Sequence, residues 1–453
     1  MKRATPPLVT IPGSLHLKHA IVVGSGLAGM TAAYRLQQQG WSVTVLEAGA
    51  RAGGRVLSLQ RDGFVLDLGP TLITDKYNEY LKLVHELGLS SLLVDSSPVI
   101  GVVSGRTLHL LDASKPLSSF ITTRLLTTTE KLKLIVKGLQ LIRPLAGLNP
   151  YELSNRVHYD AESMASYLNR VFGQKLNDSL LAAVARGVTL SVPDDASVIE
   201  FFAGAVAASG KMQNLIGGMD VLPNALAARL DIRLDTPVTA VRRSGDGVCV
   251  SYRAGDAVLE MQADACILTP RFKDAAALYA PLQQSGARLL RETVYAGCYS
   301  LQLLYDRRTQ REPFIIMVPR SASTEISTVF LEHMKAPDRA PAGKSQLTAF
   351  FNLSCEHDFA RWSDERLTTV ARDFVESLFP ELRGHFAGSQ LTRWDYAAHR
   401  GNVGYYQALD ELLHQHPADN PVQLAGDYMA VSGQESAVIA GVKAAQRIMQ
   451  RDT

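Results

Sequence analysis

Residues Ala20–Val23 (AIVV) run without a break into Gly24-Ser25-Gly26-Leu27-Ala28-Gly29, and few local sequences restrict a fold so tightly. A short continuous apolar run is what a strand buried on both faces requires. After it Leu27, Met30, Ala33 and Leu36 recur at helical spacing, and Gly40 stands where a C-terminal cap falls. A second strand, Ser42–Leu46 (SVTVL), ends on Glu47. Each position has a physical task in a dinucleotide-binding βαβ unit. Gly24 permits the tight turn out of the strand, Gly26 lets backbone approach a pyrophosphate, and Gly29 lets helix and strand pack closely. The helix N-terminus at Leu27 and Ala28 offers free N–H groups and a positive dipole end to phosphates. Glu47 accepts hydrogen bonds from ribose hydroxyls and repels a 2′-phosphate, which disfavours NADP. A glycine pattern alone is weak evidence; the strand before it, the helix after it and the acid about 20 residues on make the unit specific.

Bulk properties narrow the class. The 453 residues suffice for two or three domain-sized bodies. With 46 Lys+Arg against 44 Asp+Glu, no global field recruits nucleic acid. Cys249, Cys266, Cys298 and Cys355 are scattered with no CxxC spacing, against both a zinc site and a disulfide framework, so they read as ordinary core or surface residues of a reduced, cytoplasmic protein. The N-terminal stretch lacks the apolar core of a secretory signal. No run approaches the ~20 apolar residues of a spanning helix; the most apolar, Val198–Ser209, is short, carries Glu200 and reads as a core helix.

The residues after Glu47 separate one dinucleotide from another. Glu47-Ala48-Gly49-Ala50-Arg51-Ala52-Gly53-Gly54-Arg55 follows with no intervening loop. Gly53 and Gly54 can bring backbone close to a cofactor, while Arg51 and Arg55 can place guanidinium groups near phosphates. This segment resembles the extension found in the flavin family that holds monoamine oxidases, protoporphyrinogen oxidases and phytoene desaturases. Asp67-Leu68-Gly69-Pro70 resembles the family segment that leads toward the flavin ring, and Gly217–Leu222 (GGMDVL) its second glycine pair. Thr236–Val241 resembles a family strand whose valine, here Val238, meets the adenine end of FAD through its backbone. Ala265–Pro270 (ACILTP) is similar to the strand that returns to the sheet. Ala425-Gly426-Asp427 and Gln434–Gly441 resemble the closing motif, in which the acid holds the ribityl or pyrophosphate part and the helix N-terminus, here Ser436 and Ala437, faces the flavin's pyrimidine edge. Ser436 departs from the family's glycine. No family-type cysteine adjoins this motif, so the implied FAD is held non-covalently.

The resemblance spans residues 20–445 in order and implies an α/β fold: a discontinuous Rossmann-type FAD-binding domain (1–75, 213–285 and 396–453) plus an α+β substrate domain (76–212 and 286–395) with a helical part near 114–212. Apolar runs such as Tyr299–Tyr305 and Gln346–Leu353 suit sheet in 286–395, whereas 76–212 reads as helical. Between Ser114 and Pro150 stand Lys115, Arg124, Lys131, Lys133, Lys137 and Arg143 against Glu130 alone, with capping-box spacing at Thr127–Glu130. Such a segment can lie on an anionic membrane surface or guard the entrance for a greasy substrate; the competing reading is a helix packed on its domain with solvated lysines.

The resemblance implies an FAD-dependent oxidase or desaturase acting on a C–H bond of a small, lipophilic or cyclic substrate, with dioxygen or another acceptor taking the electrons. Amine oxidation at a CH–NH bond and a non-redox isomerase are the alternatives. Amine oxidases of the family carry a lysine that holds a water near the flavin; Lys335 and Lys344, the only lysines in 286–395, match no such context. Tyr295–Ser300 and Arg393–Gly401 with Gly404-Tyr405-Tyr406 resemble the protoporphyrinogen oxidase and desaturase branch instead. Within them His399, Tyr405 and Tyr406 are the candidate substrate contacts, His399 as an orienting or proton-moving group and the tyrosines as an aromatic wall. A structural histidine and plain packing are the competing readings. No metal site and no oligomer signal stand out.

Overall fold

The computed structural model describes residues 17–151, 154–177, 181, 183, 192–351 and 357–451. Cys355 lies outside the described residues. Two sheets organise the chain. The first is a five-stranded parallel sheet built from β1 (His19–Val23), β2 (Ser42–Leu46), a short strand at Asp231–Arg233 beside β2, a strand at Ala265–Leu268 beside β1, and one at Val422–Leu424 beside that. The burial of β1 is nearly complete, as its unbroken apolar sequence demands of a strand covered on both faces.

Helix α1 (Leu27–Gln38) and the C-terminal helix Gln434–Gln450 pack on this sheet through small residues: Ala20, Ala28, Ala32, Ala33, Ala440, Ala444 and Ala445 share one buried cluster. The two helices approach so closely that a β-carbon on Gly441 would lie 2.3 Å from the Ala28 carbonyl oxygen. Glycine is therefore required there by contact rather than by backbone angle.

The second sheet has seven strands. Its order is Phe386–Arg400, Val294–Tyr305, Ser345–Phe351, Ile326–Leu331, Ile315–Met317, Val99–Ser104 and Thr107–Asp112, antiparallel except where Ile315–Met317 runs parallel to Val99–Ser104. Two of these facts depart from the sequence reading. Residues 76–212 supply two strands of this sheet in addition to helices. Strand Phe386–Arg400 runs continuously past residue 396, because its 15 residues pair with Val294–Tyr305 along their length. A wholly buried ion pair, Arg339 Nε to Asp67 Oδ2 at 3.1 Å, joins two segments far apart in the chain. The same guanidinium donates to the Leu215 carbonyl and to Asn214, and Asp67 accepts from Ser58 and the Met219 amide.

Helices α2 (Pro116–Thr122) and α3 (Thr128–Leu145) form the basic segment. The capping box closes reciprocally: Thr127 N donates to Glu130 Oε2 at 2.9 Å and Glu130 N donates to Thr127 Oγ1 at 3.3 Å. Leu134, Leu141 and Leu145 pack inward against the cluster of Met164, Leu168 and Phe202. Leu117, Ile121, Leu132, Ile135, Val136 and Leu139 point outward and are 53–75% exposed. The helix packs on its domain, as the competing reading expects, and large aliphatic side chains share its exposed face with the lysines. Among the described residues no helix is long and apolar enough to cross a membrane.

Candidate cofactor and substrate site

The carboxyl ends of neighbouring parallel strands are where α/β sheets bind ligands. Here β1 ends at Gly24, β2 at Glu47, Ala265–Leu268 at Thr269, and Val422–Leu424 at Gly426-Asp427, and all of these residues line one cavity of about 1470 Å³. That is about half again the upper end of the ~300–1,000 Å³ common for ligand sites. Its lining divides into two parts, called arms below: one from the strand ends of the parallel sheet and the turns beside them, the other from the seven-stranded sheet.

The first arm has the chemistry of a dinucleotide seat. Two helices begin at it with no side chain capping their first turn, α1 at Gly26 and Gln434–Gln450 at Gly433, so their free N–H groups and dipole ends are available to anionic groups. Gly24 takes φ +100°, and a β-carbon there would lie 2.5 Å from Thr269 Oγ1. A β-carbon on Gly29 would lie 2.0 Å from the Gly24 carbonyl oxygen; Gly29 does not line the cavity but lets α1 start against β1. Gly26 is different. A β-carbon there would meet no protein atom within 4 Å, so its bare backbone faces open space beside Leu27 and Ala28. This is the cradle a pyrophosphate needs, and the residues present fit the group.

Glu47 is held ready: its carboxylate accepts from Ser25 N and Ser25 Oγ, both at 2.7 Å, and from Gly49 N at 2.8 Å. Ala48, Gly54, Gly69, Pro70, Val238 and Ala437 also line the arm. Arg55 lines it too, but its guanidinium is committed. It grips Asp427 with two hydrogen bonds of 2.9 and 2.7 Å and donates to the Ala397 carbonyl. Burial pushes the Asp427 carboxyl up, yet Arg55, His399 and the Ser432 hydroxyl outweigh it and hold the carboxyl below its usual range. Arg55 and Asp427 thus stand as a fixed, mutually neutralising pair.

Several expectations need correction. Arg51 does not line the cavity; it donates to the carbonyls of Ala52, Gly54 and Val56 and so braces the paired-glycine turn. Ser436 also faces away, its hydroxyl donating to the Val431 carbonyl, while Gly433, Gln434 and Ala437 present the helix N-terminus to the cavity. The three candidate substrate contacts are buried away from this cavity, Tyr406 beside a separate, smaller one of about 260 Å³. His399 stacks on Tyr405 with ring centroids 5.1 Å apart, and burial pushes its pKa down to about 4. Tyr405 donates to the Tyr428 carbonyl at 2.6 Å, and Tyr406 donates to the Glu200 carboxylate. None of the three lines the large cavity. Ala397 and Ala398, just before His399, do line it, at the point where the pairing register with Val294–Tyr305 shifts.

The second arm is walled by Ile100, Val102, Phe314, Met317, Phe330 and Phe350. Neither lysine of 286–395 reaches it: Lys335 is buried against Glu332 at 2.5 Å, and Lys344 pairs with Asp306 at 2.6 Å. Lys211 lines the cavity beside Asp95, to which its ammonium lies 3.8 Å away. Sequence reasoning missed Thr269, Trp394, Ser300 and Gln434. Trp394 had a visible signal, as one of three tryptophans in a segment already singled out, and its indole N–H donates to the Leu68 carbonyl at 2.6 Å.

Fold and site together define a flavin-dependent oxidoreductase. The profile of the flavin containing amine oxidoreductase family matches residues 27–449, and the chain belongs to that family. It is 21% identical to a coproporphyrinogen III oxidase of Bacillus subtilis over 87% of this chain and 90% of that one. It is 25% identical to an L-amino-acid oxidase of Siganus canaliculatus over 95% of this chain and 85% of that one. Cyclohexylamine oxidase from Brevibacterium oxydans shares the fold, with a TM-score of 0.76 at 18% identity over 96% of this chain and 99% of that one. The enzyme uses FAD and acts on a small-molecule substrate with an electron acceptor.

Proposed function

We propose that this enzyme oxidises a C–H bond in a lipophilic or cyclic substrate, with FAD held non-covalently along the first arm and the substrate in the second. The observation that carries this reading is the apolar, aromatic wall of the second arm, continuous with the nucleotide seat. When bound, FAD supplies the hydride acceptor and passes the electrons to dioxygen or another acceptor. The chain's own residues do the rest. The α1 N-terminus at Gly26, Leu27 and Ala28 would hold the pyrophosphate, and Glu47 would accept from ribose hydroxyls. The Val238 backbone would meet the adenine end. Asp427, fixed by Arg55, would hold the ribityl part through Gly426 and its own acceptors. Gly69, Pro70 and Ala437 would lie along the ring, where the second uncapped helix N-terminus stabilises negative charge. The phenylalanines and aliphatic side chains exclude water from the reacting bond, and no obligatory acid–base pair is required of the protein.

Amine oxidation is the second reading, favoured by the match to the L-amino-acid oxidase across 95% of the chain. A panel of simple amines separates the two: the flavin-loaded enzyme is expected to release no peroxide above background. Rapid peroxide release would hand the site to amines.

The outward apolar face of α2 and α3, in a segment that also exposes Lys115, Arg124 and Lys133, is proposed to rest on an anionic lipid surface. What supports this is continuity: Ala113 and Ser114 line the cavity just before α2, and Leu125, between the helices, packs with Phe314, Ile315 and Met317. A lipophilic substrate would then enter from the lipid side. The expected result is co-flotation with vesicles rich in phosphatidylserine, weakened at high salt. A protein that stays at the bottom of the gradient contradicts it.

A further inference from the structure

The seven-stranded sheet offers the cavity an almost wholly apolar floor. Isoleucine, valine, leucine, methionine and phenylalanine line it strand by strand from Leu111 to Phe350. The exceptions stand together at the other end, on strand Val294–Tyr305 and its neighbour: Cys298, Ser300 and Trp394. The Trp394 N–H is already used on the Leu68 carbonyl. Ser300 is 2% exposed and lines the cavity, and among the described residues its buried hydroxyl has no hydrogen-bond partner. Thr392, directly across the ladder, leaves its own hydroxyl unpaired as well, so neither satisfies the other. A buried hydroxyl without a partner is costly and uncommon, and in a binding cavity it marks the place where a ligand supplies the missing bond.

Its position tells which part of the ligand. Gln302, two residues along the same face, donates to the Asp67 carbonyl at 3.0 Å, and Trp394 reaches the Leu68 carbonyl. Ser300, on the same face between Gln302 and Trp394, therefore lies beside the Asp67–Leu68 segment, whose Leu68, Gly69 and Pro70 line the same cavity. We infer that Ser300 is a positioning residue: its hydroxyl bonds a polar group attached beside the C–H bond that is oxidised. Resting on the function proposed above, this narrows the substrate to an apolar skeleton carrying one hydrogen-bonding group, such as a hydroxyl, carbonyl or amine, at its reacting end. A pure hydrocarbon leaves Ser300 unpaired, and a molecule polar along its length meets the aromatic wall.

The test uses the FAD-loaded protein and two probe pairs that differ by one hydroxyl, benzyl alcohol against toluene and cyclohexanol against cyclohexane, titrated by their perturbation of the flavin absorbance. The wild type is expected to bind each alcohol about 3- to 10-fold tighter than its hydrocarbon partner, the ordinary size of one neutral hydrogen bond. Ser300→Ala removes that preference while leaving the hydrocarbon affinity and FAD content unchanged. Ser300→Thr, which keeps the hydroxyl, restores it. An alcohol preference that survives in Ser300→Ala overturns the inference. So does a wild type that shows no preference or binds none of the four probes. A wild-type protein that carries no FAD sinks the underlying reading instead, and the two failures are told apart by the flavin content.

Discussion

Gly26→Val is expected to yield a folded protein that has lost FAD affinity by at least ~100-fold, about 2.7 kcal/mol. Two facts make this substitution selective. Gly26 sits at φ −71° and ψ 175°, a conformation open to any residue, so valine strains nothing. A β-carbon there also meets no protein atom within 4 Å, so the packing of α1 on β1 is untouched. The added isopropyl group projects instead into the space that the uncapped α1 N-terminus offers to phosphates. Gly29 is the control. There even alanine would drive a β-carbon against the Gly24 carbonyl, so cofactor binding and stability should fall together. Flavin titration beside thermal melting distinguishes the two patterns. A Gly26→Val protein that binds FAD like the wild type would remove the pyrophosphate from this seat.

Arg339→Leu is expected to cost about 3–5 kcal/mol of stability, the range for removing one partner of a buried ion pair. The Asp67 and Arg339 side chains are both 0% exposed, so the truncation leaves a carboxylate with no cation and little water. It also frees Asn214 and the Leu215 carbonyl from the same guanidinium. Arg339→Leu combined with Asp67→Asn should recover part of the loss, because the stranded charge is then gone. Denaturant unfolding of the two variants measures both effects. A single variant within about 1 kcal/mol of wild type would mean that the pair does not hold these two distant segments together.

The parts of this site that local sequence could reveal were those where one short segment does the whole job. Gly24, Gly26 and Gly29 answer to turn, ligand approach and helix packing within six residues: Gly24 takes φ +100°, Gly26 borders open space and Gly29 abuts the Gly24 carbonyl. The distant motifs located the other strand ends because each combines a strand with the turn that follows it. What stayed hidden is a matter of facing and of distance. Whether Arg51 or Arg55 meets the cavity depends on how the paired-glycine turn folds back on its own carbonyls. Whether Ser436 or Gln434 does depends on the rotation of a helix about its axis. Arg339 and Asp67 are 272 residues apart, and no periodicity links them. Ser300 escaped notice because its distinction is the lack of a partner, which only packing reveals.

The measurement that bears most directly on the central claim is the flavin released when the purified wild-type protein is heat-denatured and the supernatant is assayed by absorbance and mass. The account predicts one FAD per chain, free in solution. Protein that carries no flavin, or flavin that remains attached to the precipitate, would contradict it.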